Sequence, residues 1–445
     1  MPVRRLLLFL IISLFAIMAA GCEFGSTKES EFQQEEASIK AVVWNEREFN
    51  QQYASLFSIK YPKIDVQVIN TNVLRNTEDL HKNFEALVAN EKPDIIVFPN
   101  ADMFEWWANE GNLYNLDSLI KSDKFDIENI NSNVVDYLKF KGAGNLYGLS
   151  PTFNNKVLYY NKDLFDKYQI DYPHNGMSWD EVLNIAARFP TDQDADTKVY
   201  GYYPNATFAF DWIELIGRSL QLTYLDEEGG TLTFNQPGWK HVFENVLTGY
   251  SQGYVYRVDG QSATSESNQE INDFYKKNLF TVGRAAMTIN DASYISEMNL
   301  AEQVSKITLP NWDIVSLPAL TTAPEETTEF TTNEIFAIAA DSPNIRAAWE
   351  LIKYANSAEA SQINATLDTN NLMSRTEHNK EMTARNMEPF YLLKPAKMNL
   401  PAVKLSTRMQ LSQLLENEVK AMLKGEKTLE QALDHLQLQA QESLD

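Results

Sequence analysis

"IKAVVWNEREFNQQYASLFSIKYPKIDVQVIN", Ile39 to Asn70, decides the fold. Its opening run is β-branched and apolar and stops at Trp44 and Asn45, and its closing run, Ile64 to Asn70, alternates with period two. Both read as strands. Between them, "EFNQQYASLFSIKYP" has helical spacing and ends at Pro62, a residue that no helix interior accepts. A strand, a helix and a second strand make the unit from which parallel sheets are built.

The pattern continues downstream. "PDIIVFP", Pro93 to Pro99, is a third strand after a helical stretch rich in Leu, Ala and Glu. A further strand is predicted through Val157 to Tyr160, followed by a helix from Ser178, whose spacing to Glu181 is that of a capping box. Trp179 is expected to pack that helix start. In "GRAAMTIND", Gly283 to Asp291, the run Ala285 to Ile289 reads as a buried strand closed by Asn290 and Asp291. "NEIFAIAADS" is a strand, and "PNIRAAWELIKYANSAEASQINA" an amphipathic helix entered at Pro343 with Trp349 in the core. From Thr407 to Leu444, leucines recur at helical intervals, broken once at Gly425.

A chain of 445 residues exceeds one ordinary core, so two or more domains are expected. The net charge of −23 repels phosphate backbones and argues against a nucleic-acid partner. Residues 1–26, "MPVRRLLLFLIISLFAIMAAGCEFGS", place two arginines before about 15 apolar residues, short of the ~20 that span a bilayer, and end in small residues. This predicts an export signal over residues 1–22. Cys22 is the lone cysteine of the sequence, so no intrachain disulfide can form. Its context, "AAGC", resembles a bacterial lipobox, with alanine at position 19 where leucine is commoner; diacylation of Cys22 would supply two chains, enough for stable anchoring. Residues 23–37 are polar and charged and read as a flexible tether.

Taken in order, "PDIIVF", "LYGL", "YYNKDLFDKY", "SWDEV", "GRAAMTIND", "SPNIRAAWELIKYANSAEAS" and "MLKGEKTLEQALDHLQLQAQE" resemble the extracellular solute-binding proteins of bacterial ABC importers, in the sugar-binding group that includes maltose-binding protein. The similarity covers nearly all of the chain after Lys40. It implies an α/β fold of the two-lobed, periplasmic-binding-protein-like type II, with solute held in a cleft between lobes joined by crossover hinge segments. The family's lobe order puts lobe one at 38–148 plus 319–357 and lobe two at 149–318 plus 358–445. It further implies a carbohydrate ligand, an ABC permease partner, a monomer, and a place on the outer face of the cytoplasmic membrane through the lipid anchor. A binding protein that presents solute to a membrane sensor would share the same cleft.

Sugars need flat apolar surfaces for their C–H faces and amides or carboxylates for their hydroxyls, and ligands of open parallel sheets sit beyond the carboxyl ends of strands. Trp44 and Asn45 follow the first strand, and Asn100 and Asp102 the third; Trp44 can equally be an edge residue covered by a neighbouring helix. Phe153 and Asn154 lie where the family passes between lobes. Asp211 and Trp212 begin an apolar helix, and Asp211 can serve that helix's positive end or a ligand. The resemblance puts Asn290, Asp291 and Tyr294 in the cleft, with Tyr294 near where the family often has tryptophan. Trp312 and Asn333 complete the candidates. Asp192, Asp194 and Asp196 fall at the first positions of a calcium loop, but Thr197 replaces its glycine and Tyr203 its final glutamate, so an exposed acidic turn is expected and no metal or cofactor. No "HExxH" occurs, and an enzyme is not expected.

Overall fold

The structure, a computed structural model, describes residues 36–71, 74, 79–194, 196–226, 231–257, 271–381, 383, 385–398 and 405–441. The leader, Cys22 and the tether through residue 35 lie outside the described residues.

In chain order the strands are β1 (Ala37–Val43), β2 (Ile64–Asn70), β3 (Ile95–Phe98), β4 (Gly148–Leu149), β5 (Thr152–Phe153), β6 (Val157–Asn161), β7 (Tyr200–Tyr202), β8 (Ala285–Asn290), β9 (Trp312–Ser316), β10 (Glu326–Thr327), β11 (Ile335–Ile338), β12 (Leu372–Met373) and β13 (Lys394–Pro395). β1 and β2 are parallel, in register from Ala37 against Ile64 to Val43 against Asn70. Helical turns run between them from Glu46 to Lys60, with one π-helical stretch at Asn50–Ala54. Phe49, Tyr53 and Phe57, each four residues from the next, form the buried stripe that lays this crossover on the sheet.

Two sheets result. The first has the order β2-β1-β3-β11-β4 and the second β7-β8-β6-β9. β11 runs antiparallel to β3, with Ile335 opposite Phe98, so Asn333 and Glu334, just before β11, lie at the edge where β3 ends. In the second sheet β6 is antiparallel to both β8 and β9, and Val157 faces Asn290 on one side and Ser316 on the other. Lys156, Asn290 and Leu317 therefore emerge at one edge.

The chain crosses from the first sheet to the second through residues 150–156 and returns through 317–334. These crossovers run side by side: the backbones of Asn154 and Thr331 exchange hydrogen bonds of 2.8 and 2.9 Å. Two short pairs flank them, β5 with β12 and β10 with β13.

Behind the second sheet, the helices Ala209–Ser219 and Pro237–Gln252 bury Trp212, Trp239 and Phe243, and the terminal helices Leu405–Leu423 and Leu429–Gln441 cover them with Leu415, Val419 and Leu436. Gly425, between those two helices, has φ +72°, which glycine adopts without strain. Ser178 and Glu181 form the expected capping box, with Trp179 buried behind it. Trp349 is fully buried.

The helix expected to run on from Pro343 is instead two, Ile345–Ala355 and Ala358–Leu367. Ser357 takes an extended conformation and its hydroxyl accepts the Ala360 N–H at 3.1 Å, which ends one helix and caps the next. The second of these helices packs against Asn50–Ala54, beside the first sheet. Among the described residues no helix is long and apolar enough to cross a membrane.

Candidate functional site

At the edge where β7 and β8 end, the chain opens a cavity of about 180 Å³. Its walls are Tyr202, Trp212 and Ile289, and its polar lining comes from Lys156, Asn205, Asp211, Asn290, Asp291, Ser293 and Glu297. The local sequence explains the position. Gly283, at φ +75°, turns the chain into β8, five buried residues follow, and the strand then gives way to polar side chains.

Hydrogen bonds order these groups. Asn290 Oδ1 accepts from Asn205 Nδ2 at 2.8 Å, and Asn290 Nδ2 donates to Thr288 Oγ1 at 3.3 Å. Asp291 Oδ1 accepts the Ser293 N–H at 3.0 Å and its hydroxyl at 2.5 Å, while the Asp291 carbonyl accepts from the Tyr159 hydroxyl at 2.8 Å. Asp211 accepts the Phe208 N–H at 3.1 Å, which closes its own helix start, and Arg408 lies 3.1 Å from its other oxygen. Burial holds the carboxyl of Glu297 above its usual range, and the charge of Asp291 adds to the effect.

Of the expected site residues, Asp211, Trp212, Asn290, Asp291 and Tyr294 come together here. Two of these serve mainly as walls. Trp212 is 2% exposed and donates from Nε1 to the Tyr250 hydroxyl at 2.7 Å; Tyr294 is 1% exposed and its hydroxyl meets Asn278 Oδ1 at 2.8 Å.

A second group gathers at the strand ends of the first sheet. Asn45 caps the helix that follows β1, and Asn100 caps Ala101–Asn109, each accepting a backbone N–H. Trp44 is half-buried and stacks on Phe84 with ring centroids 6.3 Å apart, so the helix that carries Phe84 does cover it. Asp102 is exposed, 3.5 Å from Lys141 Nζ. Asn333 is half-buried, and its carbonyl accepts the Ser150 hydroxyl at 2.7 Å. Next to it Glu334 takes a left-handed backbone, φ +54°, and its carboxylate accepts the Tyr53 hydroxyl at 3.0 Å. Burial pushes Glu334 up to about 7, with Asp368 and Glu48 adding to the rise and the Tyr53 bond opposing it.

The remaining candidates lie elsewhere. Phe153 is fully buried in the crossover, stacked on Phe330 at 5.3 Å. Asn154 ties the crossover down: Nδ2 donates to the Asn370 carbonyl at 3.2 Å and Oδ1 accepts the Ala292 N–H at 3.3 Å. Trp312 pairs with Asn161 at the opposite end of the second sheet from Asn290 and is buried beneath the Arg385 guanidinium, 4.1 Å from its ring centre. Near Asp192, the Asp194 carbonyl accepts the Thr197 N–H at 3.0 Å, and among the described residues no group of acidic, histidine or cysteine side chains, the three aspartates at 192, 194 and 196 included, is placed to hold a metal ion.

Sequence reasoning passed over Lys156, Asn205 and Glu297. One signal was present: Glu297 follows Ser293 by four residues, one helical turn, and so shares its face.

The family model for bacterial extracellular solute-binding proteins matches residues 52–385. Among solved structures, an ABC substrate-binding protein from Listeria monocytogenes in complex with cycloalternan is 21% identical, with a TM-score of 0.58 over 92% of this chain and 99% of that one. A sugar transporter protein from Rhizobium etli in an open conformation is 18% identical, with a TM-score of 0.66 over 92% and 98%. A family 1 extracellular solute-binding protein from Alicyclobacillus acidocaldarius is 14% identical, with a TM-score of 0.68 over 92% and 99%. At these identities the likeness is one of fold, and it is the two-lobed α/β fold that the sequence predicts. The family match begins within the first crossover helix and takes in β2 to β12 and both crossovers, and the chain belongs to the bacterial extracellular solute-binding proteins.

Proposed function

We propose that this protein captures a carbohydrate, an oligosaccharide in particular, in the cleft between its lobes and delivers it to an ABC permease. The observation that supports this most is the cavity at the ends of β7 and β8, where amide, hydroxyl and carboxylate groups sit over aromatic walls. Such a polar lining suits sugar hydroxyls. The capping amides of Asn45 and Asn100, at strand ends of the first sheet, would meet the ligand when the lobes close. No covalent chemistry is assigned, in keeping with a family of binding proteins.

In this reading lobe one comprises 38–148 with 319–357 and lobe two 149–318 with 358–445. The packing of Ala358–Leu367 beside the first sheet favours moving the later boundary to near residue 370. Cys22 carries the lipid that holds a monomeric protein on the outer face of the cytoplasmic membrane. Replacing Cys22 with Ser should release it from membranes, and continued tight association would contradict the anchor.

The site assignment is tested by calorimetric titration with saccharides. Asn290→Ala removes one side-chain amide from the lining and should weaken binding about tenfold, about 1.4 kcal/mol. Unchanged affinity with an unchanged fold would place the ligand elsewhere.

A further inference from the structure

The charges around the cavity do not balance. Lys156 supplies the ammonium of the lining, but its Nζ lies 2.6 Å from Glu329, a carboxylate only 4% exposed, so its charge is already matched. Asp211 is matched in turn by Arg408 at 3.1 Å. Asp291 and Glu297 are left. Asp291 has Ser293 as donor, and among the described residues no lysine, arginine or histidine lies within ion-pair distance of either carboxylate. Glu297 is half-buried, and burial together with the nearby charge of Asp291 raises the cost of charging it.

Further acidic groups sit at the first sheet. The Ser296 hydroxyl, next to Glu297, donates to the Thr369 carbonyl at 2.6 Å, which places Asp368 close by. Asp368 couples electrostatically to Glu334, and so does Glu48. The Asp368 carboxylate is buried and held by the Asn370 and Asn371 N–H groups, so Asp291 and Glu297 remain the unmatched pair.

We propose that the captured solute carries a protonated amine, as an amino-substituted saccharide does. The inference rests on the carbohydrate reading above and adds the ligand's charge. The cavity in a solute-binding fold marks the site; the carboxylates decide what suits it. Closure expels water, and a carboxylate that loses water without gaining a counter-charge is costly. A neutral sugar offers hydroxyl donors alone. An ammonium on the ring offers donors and the missing charge in one group. A bare metal ion fits less well, because among the described residues no acidic set converges on one point.

The test is calorimetric titration at low salt and mildly acidic pH, pairing each amino saccharide with its hydroxyl counterpart: glucosamine with glucose, galactosamine with galactose, and glucosamine oligomers with cello-oligomers. The amino member should bind at least about tenfold tighter, and added salt should narrow the difference. Glu297→Gln and Asp291→Asn should each shrink that preference, with thermal midpoints confirming that both variants fold. Equal or tighter binding of the hydroxyl partner would overturn the inference and leave the carbohydrate reading standing. If no saccharide of either kind binds, the carbohydrate reading fails and the inference falls with it. A preference that survives intact in both variants would overturn the role given to these carboxylates.

Discussion

Glu334 concentrates three unusual features in one residue: a left-handed backbone, a half-buried carboxyl and a raised pKa of about 7. An unfolded glutamate titrates near ~4.3, so between those values the folded chain holds a proton that the unfolded chain has released. Linkage then makes stability fall as pH rises through this window. Glu334→Gln should remove that loss, amounting to about 1–2 kcal/mol after allowance for partial exposure. Thermal midpoints of the two proteins, followed from pH 4 to 8, should diverge, with the variant losing less; parallel curves would contradict the shift. The placing of single residues at strand ends was legible in the sequence. Asn290 and Asp291 close β8, and Asn333 precedes a strand that runs antiparallel to β3, which brings it to the same edge. Trp312 opens its strand rather than closing it, so its ring joins the core at the far end. Lys156 and Asn205 carry no local pattern, because their place depends on how distant segments cross.

The helix Ala209–Ser219 carries three of the cavity's side chains, Asp211, Trp212 and Leu215, and its seat depends on one glycine. A Cβ on Gly217 would stand 2.3 Å from the Trp239 ring of the neighbouring helix. Gly217→Ala should therefore cost about 1–3 kcal/mol of stability through overpacking, even though alanine favours helices. It should also weaken ligand binding, since the helix start moves with the helix; an unchanged melting midpoint would contradict this packing. Ser178→Ala, which removes only a cap, should cost about 1 kcal/mol and leave binding intact. Most elements were readable from apolar period and end signals. The division at Ser357 was not, because the apolar residues on either side keep one helical rhythm while the serine hydroxyl and extended backbone interrupt the chain.

Between the lobes, the return crossover is clamped by charge. Glu329 meets Lys156 at 2.6 Å and Arg218 at 2.9 Å, and Arg408 reaches Glu214, one turn before Arg218, at 2.7 Å. Burial alone would raise the Glu329 carboxyl, but Arg218 and Lys156 outweigh it and hold it below the usual range. Glu329→Gln removes the buried carboxylate from the partly exposed Lys156 and Arg218 and should destabilise the protein by about 1–3 kcal/mol, measured by denaturant unfolding. A loss below about 0.5 kcal/mol would show that the clamp is solvated. The two-lobed plan was legible from the order of short segments along the chain, and the paired strands followed from their period. This clamp was not, since Lys156 and Glu329 stand 173 positions apart and nothing local links them. Closure of the lobes around a carbohydrate is the claim on which the rest depends. It is tested most directly by thermal unfolding of the soluble chain, begun after Cys22, against saccharides, with amino acids, peptides and calcium as controls. A saccharide at ~100 times its dissociation constant should add ~2.7 kcal/mol and raise the midpoint. A rise with a control alone, and with no saccharide, would contradict carbohydrate capture.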